Sequence, residues 1–251
     1  MRRYLPAALV FLAAIGAWEG FVALFNVPFY LLPSPRVIVQ TFLGNMPVLV
    51  EIGLYTFREA LAGFALGCGA GVLAAMLASR SPGVATVILP YAVASSSVPI
   101  IALAPLAIVW FGIGQGSKIA IVTVMTFFPT FISGLRGLLS VSPQSLELMR
   151  SYAAGEWQLF SRLRLPASLP YMFNAFKVSA NLAMIGAVVS EYFGGPQKSL
   201  GVYIISNNAI FKTREAWSAI LVACVLGIGF YFAVVLVERL VMPWHTSTRE
   251  G

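Results

Sequence analysis

Apolar residues in this chain do not alternate with polar ones; they run on without interruption. Six stretches stand out: Leu5 to Phe25, Leu54 to Ala78, Val84 to Phe111, Ile119 to Leu139, Leu169 to Val189 and Trp217 to Leu240. A hydrocarbon core about 30 Å thick takes roughly 20 apolar residues in a helix. A spanning strand instead belongs to a closed barrel of alternating segments of about ten residues, and runs such as "IGAVV" and "ILVACVLGIGFYFAVVL" do not alternate. The pattern predicts an all-α membrane protein, a single transmembrane domain over residues 1–251 with six spanning helices. The first run is longer than the core of a signal peptide, and bulky Trp18 follows its loose small-residue site, so it is read as a retained span.

Composition agrees with lipid as the solvent. At 59% hydrophobic and 10% charged residues, a soluble fold would leave much apolar surface with no core to enter. The few cations then set orientation. With both termini in the cytoplasm, nine Lys and Arg fall on inner segments (Arg2, Arg3, Arg80, Arg136, Arg150, Arg162, Arg164, Arg239, Arg249) against five on outer ones (Arg36, Lys118, Lys198, Lys212, Arg214). Topology therefore accounts for the net charge of +7; the basic residues form no run, which excludes a nucleic-acid footprint.

Most chemistry is excluded by absence. Cys68 and Cys224 lie in separate spans with no paired spacing and are read as packing residues. His245 is the one histidine and there is no Asp, which leaves too few ligands for a buried metal centre and no base for a hydrolytic triad. "GIGQGSK" lacks the Gly-Lys pair of a phosphate-binding loop, so the chain holds no nucleotide that way.

Inside the spans, Gly63, Gly67 and Gly71 recur every four residues and line one helix face, where they would admit close packing of a neighbour. Ser95, Ser96 and Ser97 followed by Pro99 break the third span at mid-depth, and the freed polar groups need partners in neighbouring helices or in a polar pathway. Glu191 ends the fifth span near the outer interface. Arg58 and Glu59 are read as structural, as is Lys177, which is expected to snorkel toward the cytoplasmic side.

One segment departs from the rest. "ELMRSYAAGEWQLFSRLRLPASLP", Glu147 to Pro170, carries five charges in a chain that has few. "SVSP" ahead of it supplies a helix start, with Ser142 as N-cap and Pro143 at the first position. Leu146, Met149 and Ala153 share a helical face, and Glu147 and Arg150 are spaced to pair. The helix is expected to bend or stop at Gly155. A second short helix carries Trp157, Phe160 and Leu163, and "LPASLP" is expected to break the chain before the fifth span, since a proline biases the residue ahead of it out of helix. The result over residues 142–166 is an elbow with a large aromatic ringed by Arg and Glu, which is the composition of a docking surface.

That stretch resembles the "EAA" loop of the integral membrane permease subunits of binding-protein-dependent ABC importers: Glu-Ala-Ala, three residues, Gly, nine residues, Ile, one residue, Leu-Pro. Glu147 takes the place of the Glu, Ala153 of the Gly, Leu163 of the Ile, and Leu165 and Pro166 of the Leu-Pro, with every spacing kept. Leu148 and Met149 replace the two alanines, and the loss of the glycine is expected to shift the bend to Gly155. "LLPSPRVIVQTF", "ALAPLAIVWFGIGQGSK" and "GAVVSEYFGGPQKSLGVYI" extend the likeness, over about Leu31 to Trp244, to the branch that imports nitrate, sulfonates, taurine, pyrimidine precursors and riboflavin.

The resemblance implies a type I importer permease fold with cytoplasmic coupling helices, in the bacterial inner membrane. It implies a non-catalytic subunit with no cofactor of its own, ATP and Mg being held by two copies of a P-loop ATPase. A second permease copy, making a homodimer, and an extracytoplasmic solute-binding protein complete the assembly. It gives ATPase coupling to Glu147, Arg150, Ala153, Gly155, Glu156, Trp157, Leu163, Leu165 and Pro166, and the translocation pathway to Ser95, Ser96, Ser97, Asn181 and Glu191. "EYFGGPQ" and "RSYAAGEWQ" look more like the permeases for thiamine-precursor pyrimidines or riboflavin than those for sulfonates, taurine or nitrate. An ion-coupled secondary transporter is the alternative class, but no internal repeat and no intramembrane Asp support it.

Overall fold

A computed structural model describes residues 5–244; His245 therefore lies outside the described residues. Among these, every regular element is helical: α1 (Leu5–Leu24), α2 (Pro35–Gly44), α3 (Met46–Ala78), α4 (Pro82–Ser96), α5 (Ala104–Phe111), α6 (Gln115–Leu139), α7 (Pro143–Ser151), α8 (Glu156–Leu159), α9 (Leu165–Glu191), α10 (Leu200–Ala209) and α11 (Thr213–Val241). A 3₁₀ turn (Ile100–Leu103) precedes α5 and a π turn (Phe160–Arg164) joins α8 to α9.

Among the described residues four helices are long and apolar enough to cross a membrane: α3, α6, the run Glu156–Glu191 and α11. α4 and α5 pass the same test only when taken together, bent by 72° at the break between them, as a broken span or a re-entrant loop. That break falls at the Ser-Ser-Ser-Val-Pro segment, where Pro99 cannot donate to a helical ladder and Ser96 Oγ donates back to Val93 O at 2.6 Å. α1, apolar over Ala8–Leu24, is shorter. It lies beside α11, with Trp18 and Trp217 ring centroids 5.2 Å apart.

α3, α6 and α9 form the centre of the bundle, and small residues set how closely they approach. A Cβ at Gly63 would overlap Val122, one at Gly67 would overlap Thr126 Oγ1 and the Thr123 carbonyl, and one at Gly71 would stand 2.9 Å from the Phe127 carbonyl. Thr126 Oγ1 donates to Gly63 O at 3.3 Å across the same contact. On the other side of α6, Gly137 admits Ser168 and Tyr171 of α9. One core joins Leu49, Ile52, Val122, Ala180, Met184 and Ala187 with α10 and α11; a second, of Ala75, Ala78, Ala92, Phe131, Leu135 and Met172, lies toward the elbow.

Two cations sit differently from the sequence reading. Lys118, counted there with the outer loops, is the fourth residue of α6 and is fully buried. Lys177 does not snorkel; its Nζ lies 3.0 Å from Glu238 Oε2 on α11. The expected break at "LPASLP" is also absent. Leu165, ahead of Pro166, keeps helical angles (φ −64°, ψ −51°), and α9 runs on through Pro170. The wider π turn shifts the hydrogen-bond register just ahead of Pro166, so its missing N–H is absorbed without interrupting the axis.

Candidate functional site

The elbow is built from short-range chemistry. Ser142 Oγ accepts from Ser145 N at 3.2 Å and Pro143 occupies the first turn, so the expected cap starts α7. α7 ends at Ser151, which leaves Ala153 outside the helix rather than on its face. Ala153 adopts φ +53°, the left-handed region that glycine enters freely and alanine does not. The bend therefore stays at the position where the resemblance has glycine and does not shift to Gly155. Gly155 is the extended N-cap of α8 (φ −73°, ψ 164°), and its N–H donates to Gln158 Oε1 at 3.1 Å. Arg150 turns away from Glu147 and pairs with Glu156 across the bend at 3.8 Å, both side chains being well exposed.

Leu159 is 1% exposed and pins α8 to the bundle, while Phe160 packs against the core around Phe131 and Leu135. Trp157, tilted against Phe160 at 5.8 Å, is 75% exposed. Tyr152 and Leu148 of the elbow are exposed as well; the sequence reading weighed Leu148 only as a motif departure and Tyr152 not at all. Leu163, Leu165 and Pro166 lie on or just past the π turn, so the docking surface is continuous with α9 through the single helical run Glu156–Glu191.

The proposed pathway residues do not gather at one place. Ser96 lines a cavity with Pro99, Ile101, Met125 and Pro129 at the broken span, and Ser95 borders an apolar cavity between α4 and α6. Ser97 caps α4. Asn181 lines a cavity of about 510 Å³ between α9, α10 and α11 whose other walls are chiefly Met184, Ile185, Val188, Ile220 and Ile228.

Glu191 is fully buried at the bundle end opposite the elbow. Its carboxylate accepts from Thr56 Oγ1 at 2.8 Å and from Gly201 N at 2.6 Å, while Thr56 Oγ1 accepts from Leu200 N at 3.0 Å. A carboxyl group thus meets the N-terminus of α10, where the helix dipole and the free N–H groups favour an acceptor. Lys118 Nζ donates to Ile113 O (3.0 Å), to Ser117 Oγ (3.1 Å) and to Gly194 O, close to the C-terminal ends of α5 and α9. Glu59, fully buried nearby, sets its carboxyl group against that of Glu191, and one hydrogen bond is shared between the two. Among the described residues no group of three or more His, Cys, Asp or Glu is placed to hold a metal ion.

Comparison with known proteins follows the same lines. Residues 67–244 match the family of binding-protein-dependent transport system inner membrane components. The formylaminopyrimidine transport permease protein ThiX of Halalkalibacterium halodurans is 33% identical, over 96% of each chain. The riboflavin transport system permease protein RibX of Chloroflexus aurantiacus is 29% identical, over 97% of this chain and 90% of its own. Among solved structures, an inward-facing MetNI methionine ABC transporter shares the fold at a TM-score of 0.54 and 21% identity, covering 84% of this chain and 98% of that one.

Proposed function

The chain belongs to the inner membrane components of binding-protein-dependent transport systems, a permease subunit of an ABC importer, and from that membership we propose how it works. Two copies of this chain form the pathway in a bacterial cytoplasmic membrane, with both termini and the elbow inside. A separate P-loop ATPase, also in two copies, holds ATP and Mg; an extracytoplasmic binding protein delivers the solute. The solute is a thiamine-precursor pyrimidine, a reading supported by the 33% identity to the formylaminopyrimidine permease over nearly the whole of both chains; riboflavin is the second choice.

Trp157 carries the coupling assignment, because an indole 75% exposed among charged side chains on a helical arm has the composition of a docking anchor. Glu147, Arg150 and Glu156 surround it as the polar rim, and Ala153 and Gly155 set the bend. Leu163, Leu165 and Pro166 join it to α9. Closure of the ATPase pair moves the elbow, and α6 and α9, locked through small-residue contacts, move with it as one packed unit between two discrete arrangements. Ser95, Ser96 and Ser97 at the broken span and Asn181 in its apolar cavity present the polar groups of the path, and Glu191 acts by fixing α10.

The test is affinity purification of the tagged chain from its own membrane. A P-loop ATPase recovered in one-to-one ratio, and lost in Trp157→Ala while the variant still inserts, is the expected result. Unchanged recovery and unchanged transport in that variant would sink the assignment.

A further inference from the structure

A cavity of about 730 Å³ opens between the end of α3 and the elbow, with Met76, Arg80, Glu156, Trp157, Phe160 and Arg164 on its walls. Its charges are unbalanced. Glu156 leans on Arg150 at 3.8 Å, whereas neither Arg80 nor Arg164 has an ion pair or a side-chain hydrogen bond among the described residues. Two free guanidinium groups on one concavity match a phosphate in shape and charge.

The wall of α3 adds a second requirement. At 100° per residue, Leu66, Leu73 and Leu77 fall within about 40° of one another on that helix, and Arg80 follows two residues past its end. The three leucines are 58%, 62% and 63% exposed. An apolar stripe thus runs along the span and ends at an unpaired arginine on the cavity rim. A ligand that satisfies both is an amphiphile with a phosphate at one end and a hydrocarbon chain at the other.

We propose that this cavity holds the headgroup of an anionic phospholipid of the cytoplasmic leaflet, its phosphate between Arg80 and Arg164 and one acyl chain along Leu77, Leu73 and Leu66. The leaflet rests on the orientation proposed above; the binding geometry does not. Basic recesses at the cytoplasmic ends of spans are where anionic headgroups are held. The lipid also touches Glu156, Trp157 and Phe160, so it braces the elbow from the membrane side and leaves the outward face of Trp157 free.

The full chain, purified in detergent, is titrated with dioleoyl phosphatidylglycerol or dioleoyl phosphatidylcholine and the adducts are counted by native mass spectrometry. Wild type is expected to retain phosphatidylglycerol about tenfold better than phosphatidylcholine. That preference should fall stepwise in Arg80→Gln and in Arg80→Gln with Arg164→Gln, and stay whole in Arg162→Gln. Equal retention of the two lipids by wild type, or an undiminished preference in the double variant, overturns the proposal. Displacement of the lipid by millimolar inorganic phosphate as readily as by excess lipid overturns it too, in favour of a free-anion site. No ATPase is needed for the titration, so its failure is distinct from failure of the coupling assay. All three substituted side chains are at least partly exposed, and an unchanged elution profile shows that each variant is folded.

Discussion

Replacing Lys177 by Met tests how the spans are held together. Lys177 Nζ stands 3.0 Å from Glu238 Oε2 and 3.1 Å from Oε1, with the two side chains only 19% and 8% exposed. At 3 Å and an effective dielectric of about 20, the gross attraction is about 5–6 kcal/mol, and desolvation of the two ions takes back several kcal/mol of it. Against an apolar pair of the same size the ion pair is thus nearly neutral. Removing one partner is another matter, since the other charge stays buried without compensation, at a cost of about 3–5 kcal/mol. The exposures make the two single changes unequal. Lys177→Met strands Glu238, the more buried group, while Glu238→Gln leaves a lysine whose long stem can reach water.

At about 2–4 °C per kcal/mol for a chain of this size, Lys177→Met should lower the midpoint of thermal unfolding in detergent by about 6–20 °C. Glu238→Gln should lower it by less, and the double variant Lys177→Met, Glu238→Met should recover most of the loss. A Lys177→Met midpoint within about 2 °C of wild type, or a double variant no better than Lys177→Met, would refute the reasoning.

Three further outcomes are expected. Ala153→Gly relieves the left-handed backbone at the elbow and should raise stability by about 0.5–1 kcal/mol, read as slower proteolysis between α7 and α8; faster cleavage would contradict the strain argument. Gly67→Ala drives a methyl group into Thr126 and the Thr123 carbonyl, whereas Gly69→Ala meets nothing within 4 Å. The first should cost about 1–3 kcal/mol by overpacking and the second should be neutral or slightly stabilising, and equal effects would show that the glycine face does not set the α3–α6 distance. Glu59→Met removes a buried carboxyl group that shares a hydrogen bond with Glu191 and should lower the unfolding midpoint, because a polar group left unpaired costs about 1–3 kcal/mol, whereas Glu59→Gln, which can still donate, should keep most of the stability; a Glu59→Met midpoint equal to wild type would show that the two carboxyl groups do not support each other.

The elbow was legible because polarity is rare in this chain, so a charged, Trp-bearing segment is itself a signal, and because Ser142-Pro143 is local chemistry. The break after Ser95 to Ser97 was legible for the same reason: a proline's missing donor acts on its neighbours. The course of the chain through Pro166 was not, since a proline states that one hydrogen bond is lost but not whether a π turn will absorb it. Ala153 hid its backbone geometry by not being glycine. Lys118, Glu59, Glu191 and Thr56 are separated by up to 135 residues, and only the packing of α3, α6 and α9 shows that they meet; read one at a time, each passes for a wet interfacial residue. Lys177 and Glu238 failed to be paired for the same cause.

The scattered origin of that buried polar knot sets how late in synthesis the bundle can be completed. α3 delivers Thr56 and Glu59 to the bilayer, and α6 delivers Lys118, long before Glu191, Gly194 and the start of α10 leave the ribosome. Until then these groups lack their final partners, and ionisable side chains within a span are costly unless paired or solvated. Nascent α3 and α6 are therefore dependent on late sequence for their place in the membrane. A chain that stops short of Glu191 leaves Thr56 and Lys118 without the partners that Glu191 and Gly194 supply.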